Sequence, residues 1–455
     1  MAQVIDDRRV RKRLREERRA AGFATPEGLA ARAGIRPDVY EHMEAGRLLP
    51  KTDEYRRIKK ALGDIPDDRL YLIDMLQLIG VAKYGSPGVE TAPKMMEFVA
   101  GAKKLLVARD EISWDETRRR PDHPVDVFMS MSCGTQASPH LLQDTVAVAN
   151  ALGISFVATA GPAGCCGKPY IGFGQEAAGE GFTLTKAEYA RSIGAKTTVV
   201  WCNACQQTAT LRADRRRILE GREHPVRETQ VLPFLVEEVA RLGDRVPWKK
   251  RLARRVLVEG HDGWSFSHSG SFHAAAKLLA MIPGVEVVAM YDGSDDDLSP
   301  CAWRSRPASR GPLKMDETAE DVAARRVGLA ALAKARGFDT VACEHQGCHQ
   351  VWSKYASDGL RVQHAVSILA EALGCAHPDR FQAAALLGSP EEIVAQTRPV
   401  WTTWDIDEAQ ALELARREFQ ARYAVSEPCG CGKEGCANEL IGIDVLTGGA
   451  PSRIH

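Results

Sequence analysis

VDVFMSMSC, residues 125–133, is the stretch whose reading decides the fold. Its valines, phenylalanine and methionines fit a short buried strand, and that strand ends on a cysteine. HLLQDTVAVANALG (140–153) then reads as a helix closed by glycine, and ISFVATA (154–160) as a second strand. The alternation continues through the helix AEYARSIGA (187–195), the strand KTTVVWC (196–202) and the helix VLPFLVEEVARLG (231–243). Strands alternating with helices imply a parallel sheet covered by helices, an α/β fold.

The same order recurs further on. RRVLVEGH (254–261) is a strand ending at His261, followed by the helix SFHAAAKLLAMIPG and the strand VEVVAMY. EDVAARRVGLAALAKARG is a helix, FDTVAC a strand ending at Cys343, and VQHAVSILAEALG a closing helix. The two closing helices, 231–243 and 362–374, match in register. An internal duplication follows, with lobes over 124–248 and 252–375. Two similar lobes suggest a site between them or one site per lobe.

The remaining segments differ in texture. Residues 1–63 read as a compact all-α bundle. Thr25 caps a helix with Pro26 at its first position and Gly34 at its stop, and RPDVYEHMEAG follows at once. Helix, tight glycine turn and helix are the signature of a helix-turn-helix. Residues 64–123 read as a helical linker, and 376–455 as a helical C-terminal region with a cysteine-rich tail.

Charge separates the head from the body. The whole chain has a formal net charge of +0, yet residues 1–63 carry 16 Lys and Arg against 10 Asp and Glu, a local +6. The rest therefore carries −6. A basic head on an acidic body directs attention to DNA. The sequence holds no apolar run of 18 residues and no secretory h-region at its start, which predicts a cytoplasmic protein with no membrane association. Thiols stay reduced there, so twelve cysteines point to metal or redox chemistry more than to disulfides. There is no phosphate-loop or dinucleotide fingerprint.

Five cysteines of the first lobe form the pattern C-x31-C-C-x35-C-x-x-C: Cys133, Cys165, Cys166, Cys202 and Cys205. Cys133 and Cys202 end strands, and Cys165–Cys166 lies in the loop after the strand between them. Ligands gather at the carboxyl ends of strands in open α/β sheets, so five thiols from three loops converge on one rim. Buried small side chains, a zinc site and a redox dithiol are alternatives. Tetrahedral zinc leaves one thiol over, whereas thiolates are the usual ligands of iron–sulfur clusters.

SCG at 132–134, CCG at 165–167 and CNAC at 202–205 resemble the cysteine-rich CCG domain of heterodisulfide reductases and related oxidoreductase complexes. The resemblance spans about 124–375. It implies that Cys133, Cys165, Cys166, Cys202 and Cys205 ligate a 4Fe-4S cluster, of the non-cubane kind in the reductase. The second lobe departs from that pattern. His261 stands in place of the first cysteine, Cys301 replaces the CCG pair, and Cys343 and Cys348 form a widened C-x4-C with His345 and His349 nearby. A second cluster or a zinc ion is expected there, or else a degenerate lobe. Cys429, Cys431 and Cys436 form a further candidate metal site in the tail, with Cys375 or His455 as a fourth ligand.

Residues 22–50 resemble the Cro-repressor type of helix-turn-helix through Leu29-Ala30, Gly34-Ile35, Tyr40, Glu44, Gly46 and Pro50. The resemblance implies that Glu44 is structural and that the helix from about Arg36 to Ala45 enters the major groove, with Arg32, Arg36, Arg47 and Lys51 at phosphates. Pro26 stands where the family has a backbone-bracing glutamine, and Asp38 and Glu41 place carboxylates on the recognition helix. Two functions compete. One is a redox- or sulfur-responsive transcriptional regulator, acting through the spacing of two heads in a homodimer. The other is an oxidoreductase or electron-transfer protein resembling heterodisulfide reductase, fed with electrons by a redox partner protein.

Overall fold

The computed structural model describes residues 8–45, 48, 50, 52–63, 97, 100–167, 170, 176–202, 205, 215–221, 226–259, 271–291 and 319–420. Arg47, Lys51, His261, Cys301, Cys429, Cys431 and Cys436 lie outside the described residues, as does most of the expected linker.

The head is helical. It comprises α1 (Arg8–Ala20), α2 (Pro26–Ala33), α3 (Pro37–Glu44) and α4 (Thr52–Ala61). Thr25 accepts from the Gly28 amide and Pro26 opens α2, while Gly34 closes it in the left-handed conformation at φ 62°. Leu14, Leu29, Ala30, Tyr40, Met43 and Ile58 pack as one small core. Ion pairs of Glu44 with Arg18 and Arg15 lock α3 to α1. The Arg18 guanidinium donates to both Glu44 oxygens at 2.8 and 2.9 Å, with side chains 4% and 5% exposed. Arg18 also donates to the carbonyls of Phe23 and Ala24, both at 2.7 Å, fixing the turn before α2.

Two parallel sheets follow, each of four strands. The first has β1 (Val127–Ser130), then α5 (Pro139–Ala151), β2 (Phe156–Thr159), α6 (Glu176–Ser192), β3 (Thr197–Val200), β4 (Arg227–Gln230) and α7 (Val231–Leu242). The second has β5 (Arg254–Glu259), α8 (Ser271–Ala280), β6 (Val285–Tyr291), α9 (Ala319–Arg336), β7 (Thr340–Cys343), α10 (Gln346–Ser353), β8 (Arg361–His364) and α11 (Ala365–Leu373). The strand orders are β2-β1-β3-β4 and β6-β5-β7-β8. Both sheets thus repeat one topology.

One apolar core joins the sheets. It runs from Met129 and Val199 through Leu142, Leu235, Leu278 and Leu369 to Val256 and Val258. α5 and α7 of the first sheet therefore pack on α11 and α8 of the second. Parallel strands buried by helices need apolar residues along their whole length, which is why Val127–Ser130 and Thr340–Cys343 are buried throughout.

The C-terminal helices α12 (Arg380–Leu387), α13 (Pro390–Gln396), α14 (Arg398–Trp401) and α15 (Glu408–Ala415) enclose Leu105 and Leu106 of the linker. The sequence predicts a helix over the end of that linker. Residues 100–102 are α-helical as expected, and the chain then tightens into two short 3-10 turns, Lys103–Leu105 and Arg109–Glu111, the first of which packs Leu105 against the C-terminal helices. Among the described residues no helix is long and apolar enough to cross a membrane.

Burial raises the Glu44 carboxyl, but the hydrogen bonds and charge of Arg18, aided by Arg15, outweigh it and hold the group below its usual value. Its stabilisation is therefore complete above the unfolded carboxylate pKa of ~4.3 and is lost as pH falls through the lower folded value. Arg18→Ala leaves the buried Glu44 carboxylate only the exposed Arg15 as a charged partner and should cost the head about 3 kcal/mol. Hydrogen exchange at the amides of α2 and α3 measures this, and unchanged protection contradicts it.

Candidate metal centre

The strand order places a crevice at the carboxyl ends of β1 and β3. Chain crossovers run from β1 to β2 on one side and toward β3 on the other, so the connecting segments diverge at this point. Cys133 follows β1 by three residues and Cys202 follows β3 by two, and Cys165–Cys166 comes after β2. All five cysteines are buried.

Their thiols touch in sequence around the crevice. Cys133 contacts Cys165, Cys165 contacts Cys166, Cys166 contacts Cys205, and Cys205 contacts Cys202. The last pair has its sulfurs 3.3 Å apart. Contact with Cys133 and Cys166, then burial, pushes the Cys165 thiol well up. Cys205 is raised likewise by Cys166 and Cys202. Cys202 moves the other way, lowered first by its contact with Cys205 and helped by Ser132 and the Cys205 amide. That amide donates to Cys202 Sγ at 3.3 Å, and the Gly167 amide donates to Cys165 Sγ at 3.3 Å.

The loops are pinned by backbone bonds. Ser130 Oγ donates to the Gly164 carbonyl at 2.7 Å, and Thr183 Oγ1 donates to the Cys166 carbonyl at 2.6 Å. Gly167 has φ 79°, and a Cβ there would lie 2.0 Å from the Gly179 carbonyl oxygen. Only glycine fits. Ser132, just before Cys133, adopts φ 65°, a left-handed conformation unusual for a serine.

Positive charge faces the thiols. Lys186 on α6 is fully buried beside Glu228 at 3.5 Å and within electrostatic reach of Cys205 and Cys166. Burial alone lowers its pKa, but Glu228 and those two cysteines raise it, so the ammonium stays charged. Arg118 lies within electrostatic reach of Cys165 and donates to the Ala163 carbonyl at 2.9 Å. Lys103, in the linker beside the Cys133 loop, is not a free charge: it is pushed down to about 8 by burial and then by Lys104, pairs with Glu116 and donates to Gln136 at 3.2 Å. Nothing in the sequence singles out these cations, which come from the helix between Cys166 and Cys202 and from the segment before Cys133.

The donor set fits an iron–sulfur cluster. Five soft thiols in one buried contact chain, backbone amides on sulfur and nearby cations are the features that hold and compensate an anionic thiolate centre. Such a cluster, bound to these sulfurs, would supply one-electron redox chemistry.

The second lobe is built differently. The sheet registers pair Val200 with Gln230 and Cys343 with His364, which makes Val200 and Cys343 equivalent. Counting on, His345 takes the place of Cys202, and Cys348 that of Cys205. The widened C-x4-C is thus a His-x-x-Cys preceded by a strand cysteine, and Cys343 packs with Leu257, Phe338 and Val341. His345 caps α10, accepting from the Gly347 amide at 3.1 Å, and burial pushes it down to about 4.

In the head, Arg32 and Arg36 are exposed. Arg36 is engaged by Asp38 at 2.6 Å, which gives that awkward carboxylate its partner.

Residues 127–209 match the CCG cysteine-rich domain, and residues 9–70 match a helix-turn-helix domain. The chain joins the two. The second lobe lies outside both matches. Neither a curated protein nor a solved structure matches the chain.

Cys166→Ser should cut iron and acid-labile sulfide in anaerobically purified protein, whereas Ser192→Ala, at the exposed end of α6, should leave both unchanged. Equal sulfide in the two variants contradicts the assignment. Lys186→Met removes a buried positive charge beside the thiols and should lower the midpoint potential, read by a spectroscopic redox titration; an unchanged or raised potential would count against its role.

Proposed function

We propose that the protein is a cytoplasmic, DNA-binding transcriptional regulator whose five-cysteine centre holds a 4Fe-4S cluster and responds to redox state or to a sulfur compound. One observation carries this reading: the head rests on the segment that leaves the cysteine centre. Arg215, ten residues after Cys205, forms an ion pair with Glu54 of α4. Ile218 and Leu219 pack against the core of the head.

This contact offers a physical route for a signal. Cys202 and Cys205 belong to the rim that would ligate the cluster, and the chain running on from them seats the DNA-binding helices. A change in the cluster's oxidation or presence alters what holds that rim. It therefore biases where the head sits, provided the two states differ in their contacts. The basic charge of residues 1–63 supports nucleic acid as the head's partner.

Selection from random DNA, followed by binding measured with holo, oxidised and cluster-free protein, tests the reading. Affinity for the selected site should differ by at least about 5-fold between states, the lower end of typical coupling. Arg215→Ala should shrink that difference while the selected sequence stays the same. Equal affinity in all states, or binding no better than to bulk DNA, would sink the proposal. Sustained reduction of a disulfide by the same holo protein, supplied with electrons, would favour the heterodisulfide reductase-like reading.

A further inference from the structure

We propose that a second, mononuclear metal site lies where the two lobes meet the C-terminal helices, and that it takes a divalent first-row transition ion on His140, His349 and Asp379. One donor atom from each of these residues lies within 4.8 Å of the other two. His140 comes from the first turn of α5 in the first lobe, His349 from α10 in the second, and Asp379 from the residue that caps α12. His140 Nδ1 lies 3.3 Å from Asp379 Oδ1, and His349 Nε2 lies 2.8 Å from Asp379 Oδ2. The imidazole centroids are 5.1 Å apart. Metal–nitrogen and metal–oxygen bonds of about 2.0–2.2 Å place ligand atoms roughly 3–3.5 Å apart, so these donors need only a small closure.

A buried hydrogen-bond network accounts for part of this arrangement but not for all of it. Asp379 Oδ1 accepts from the Gln382 amide at 2.9 Å as a helix cap, and its other oxygen meets His349. His140 is left over. It is 3% exposed, and neither of its ring nitrogens has a hydrogen-bond partner. A buried polar group left without a partner is destabilising. A metal bound at Nδ1 would satisfy the atom already aimed at Asp379. One turn on, fully buried Asp144 accepts from the His377 amide at 2.7 Å and has its other oxygen without a partner. A cation between the imidazoles would offset the half-buried Asp379 carboxylate and lie one turn from the buried Asp144.

Two imidazoles and one carboxylate form the ligand set of open mononuclear iron and zinc sites, with positions left for water or a small ligand. This set holds no sulfur, so it is chemically distinct from the cysteine centre. It is close to it in the chain, since His140 is seven residues past Cys133. Gln350 donates to Ser138 Oγ at 2.9 Å across the same lobe contact. The ion would tie both lobes and the C-terminal helices together beside the Cys133 loop.

The discriminating variant is Asp379→Asn. Asparagine still caps α12 and still reaches His349, so a purely hydrogen-bonded network survives it, whereas a metal site loses its one charged ligand. Anaerobically purified full-length wild type, Asp379→Asn and His349→Ala are compared by metal and acid-labile sulfide content, and then titrated with Co2+. Wild type should hold one transition ion per chain beyond the iron matched by sulfide, or take up one Co2+. Its ligand-field bands should lack the intense charge transfer that sulfur ligands give. Both variants should lose that ion, with Co2+ affinity down by more than about 100-fold and sulfide unchanged. Wild type that neither carries nor binds the extra ion overturns the proposal. So does an Asp379→Asn variant that retains it, or Co2+ spectra showing thiolate ligation. Should a variant also lose sulfide, the wild-type Co2+ spectrum alone decides between nitrogen–oxygen and sulfur ligands.

Discussion

Everything at the cysteine centre depends on β1 and β3 being neighbours in the middle of a parallel sheet. The chain leaves these two strands toward opposite sides, so their carboxyl ends open a crevice. Cys133 and Cys202 stand at its lip. The loop after β2 supplies Cys165 and Cys166 to the same edge. Thiols from segments many residues apart then meet without any strand having to carry a cysteine inward. The second sheet repeats the strand order, yet at the matching position it presents His345 instead of a thiol. One topology therefore offers the same rim twice, and the side chains decide what the rim can hold.

Closeness at the centre is a backbone property as much as a side-chain one. Gly167 lies so near the Gly179 carbonyl that no Cβ fits, and Thr183 from the same helix, α6, holds the Cys166 carbonyl. α6 also carries Lys186, whose ammonium stays charged in a water-excluded pocket only because Glu228 and the thiols compensate it. Packing and electrostatics are thus set by one helix. The linker closes another side, where Ala102 packs against Cys133 and Cys165. The centre is thus enclosed both by a helix between its own cysteines and by the linker ahead of them.

Much of this is legible in the sequence for a simple reason. Strand and helix periods are local, so the alternating segments from Val125 to Gly374 announce an α/β repeat, and the caps Thr25, Pro26 and Gly34 announce the head. Glu44 has the structural place its motif implies, as the buried partner of Arg18. The second lobe is harder. Counting cysteines aligns Cys343 with Cys202, whereas the strand register aligns it with Val200. Register is a matter of inter-strand hydrogen bonds, which spacing along one chain does not reveal.

The sequence by itself determined the two kinds of domain, the doubled α/β pattern and the five thiols at strand ends, because each of these is written in local periodicity and in residue type. Only the tertiary structure decided which charges face the thiols, which second-lobe residue sits where, and that the segment after Cys205 supports the head. Lys186, Arg118 and the trio His140, His349 and Asp379 have no spacing in common. They meet because one apolar core presses two sheets and a set of C-terminal helices together, and burial gathers polar groups that lie far apart in the chain.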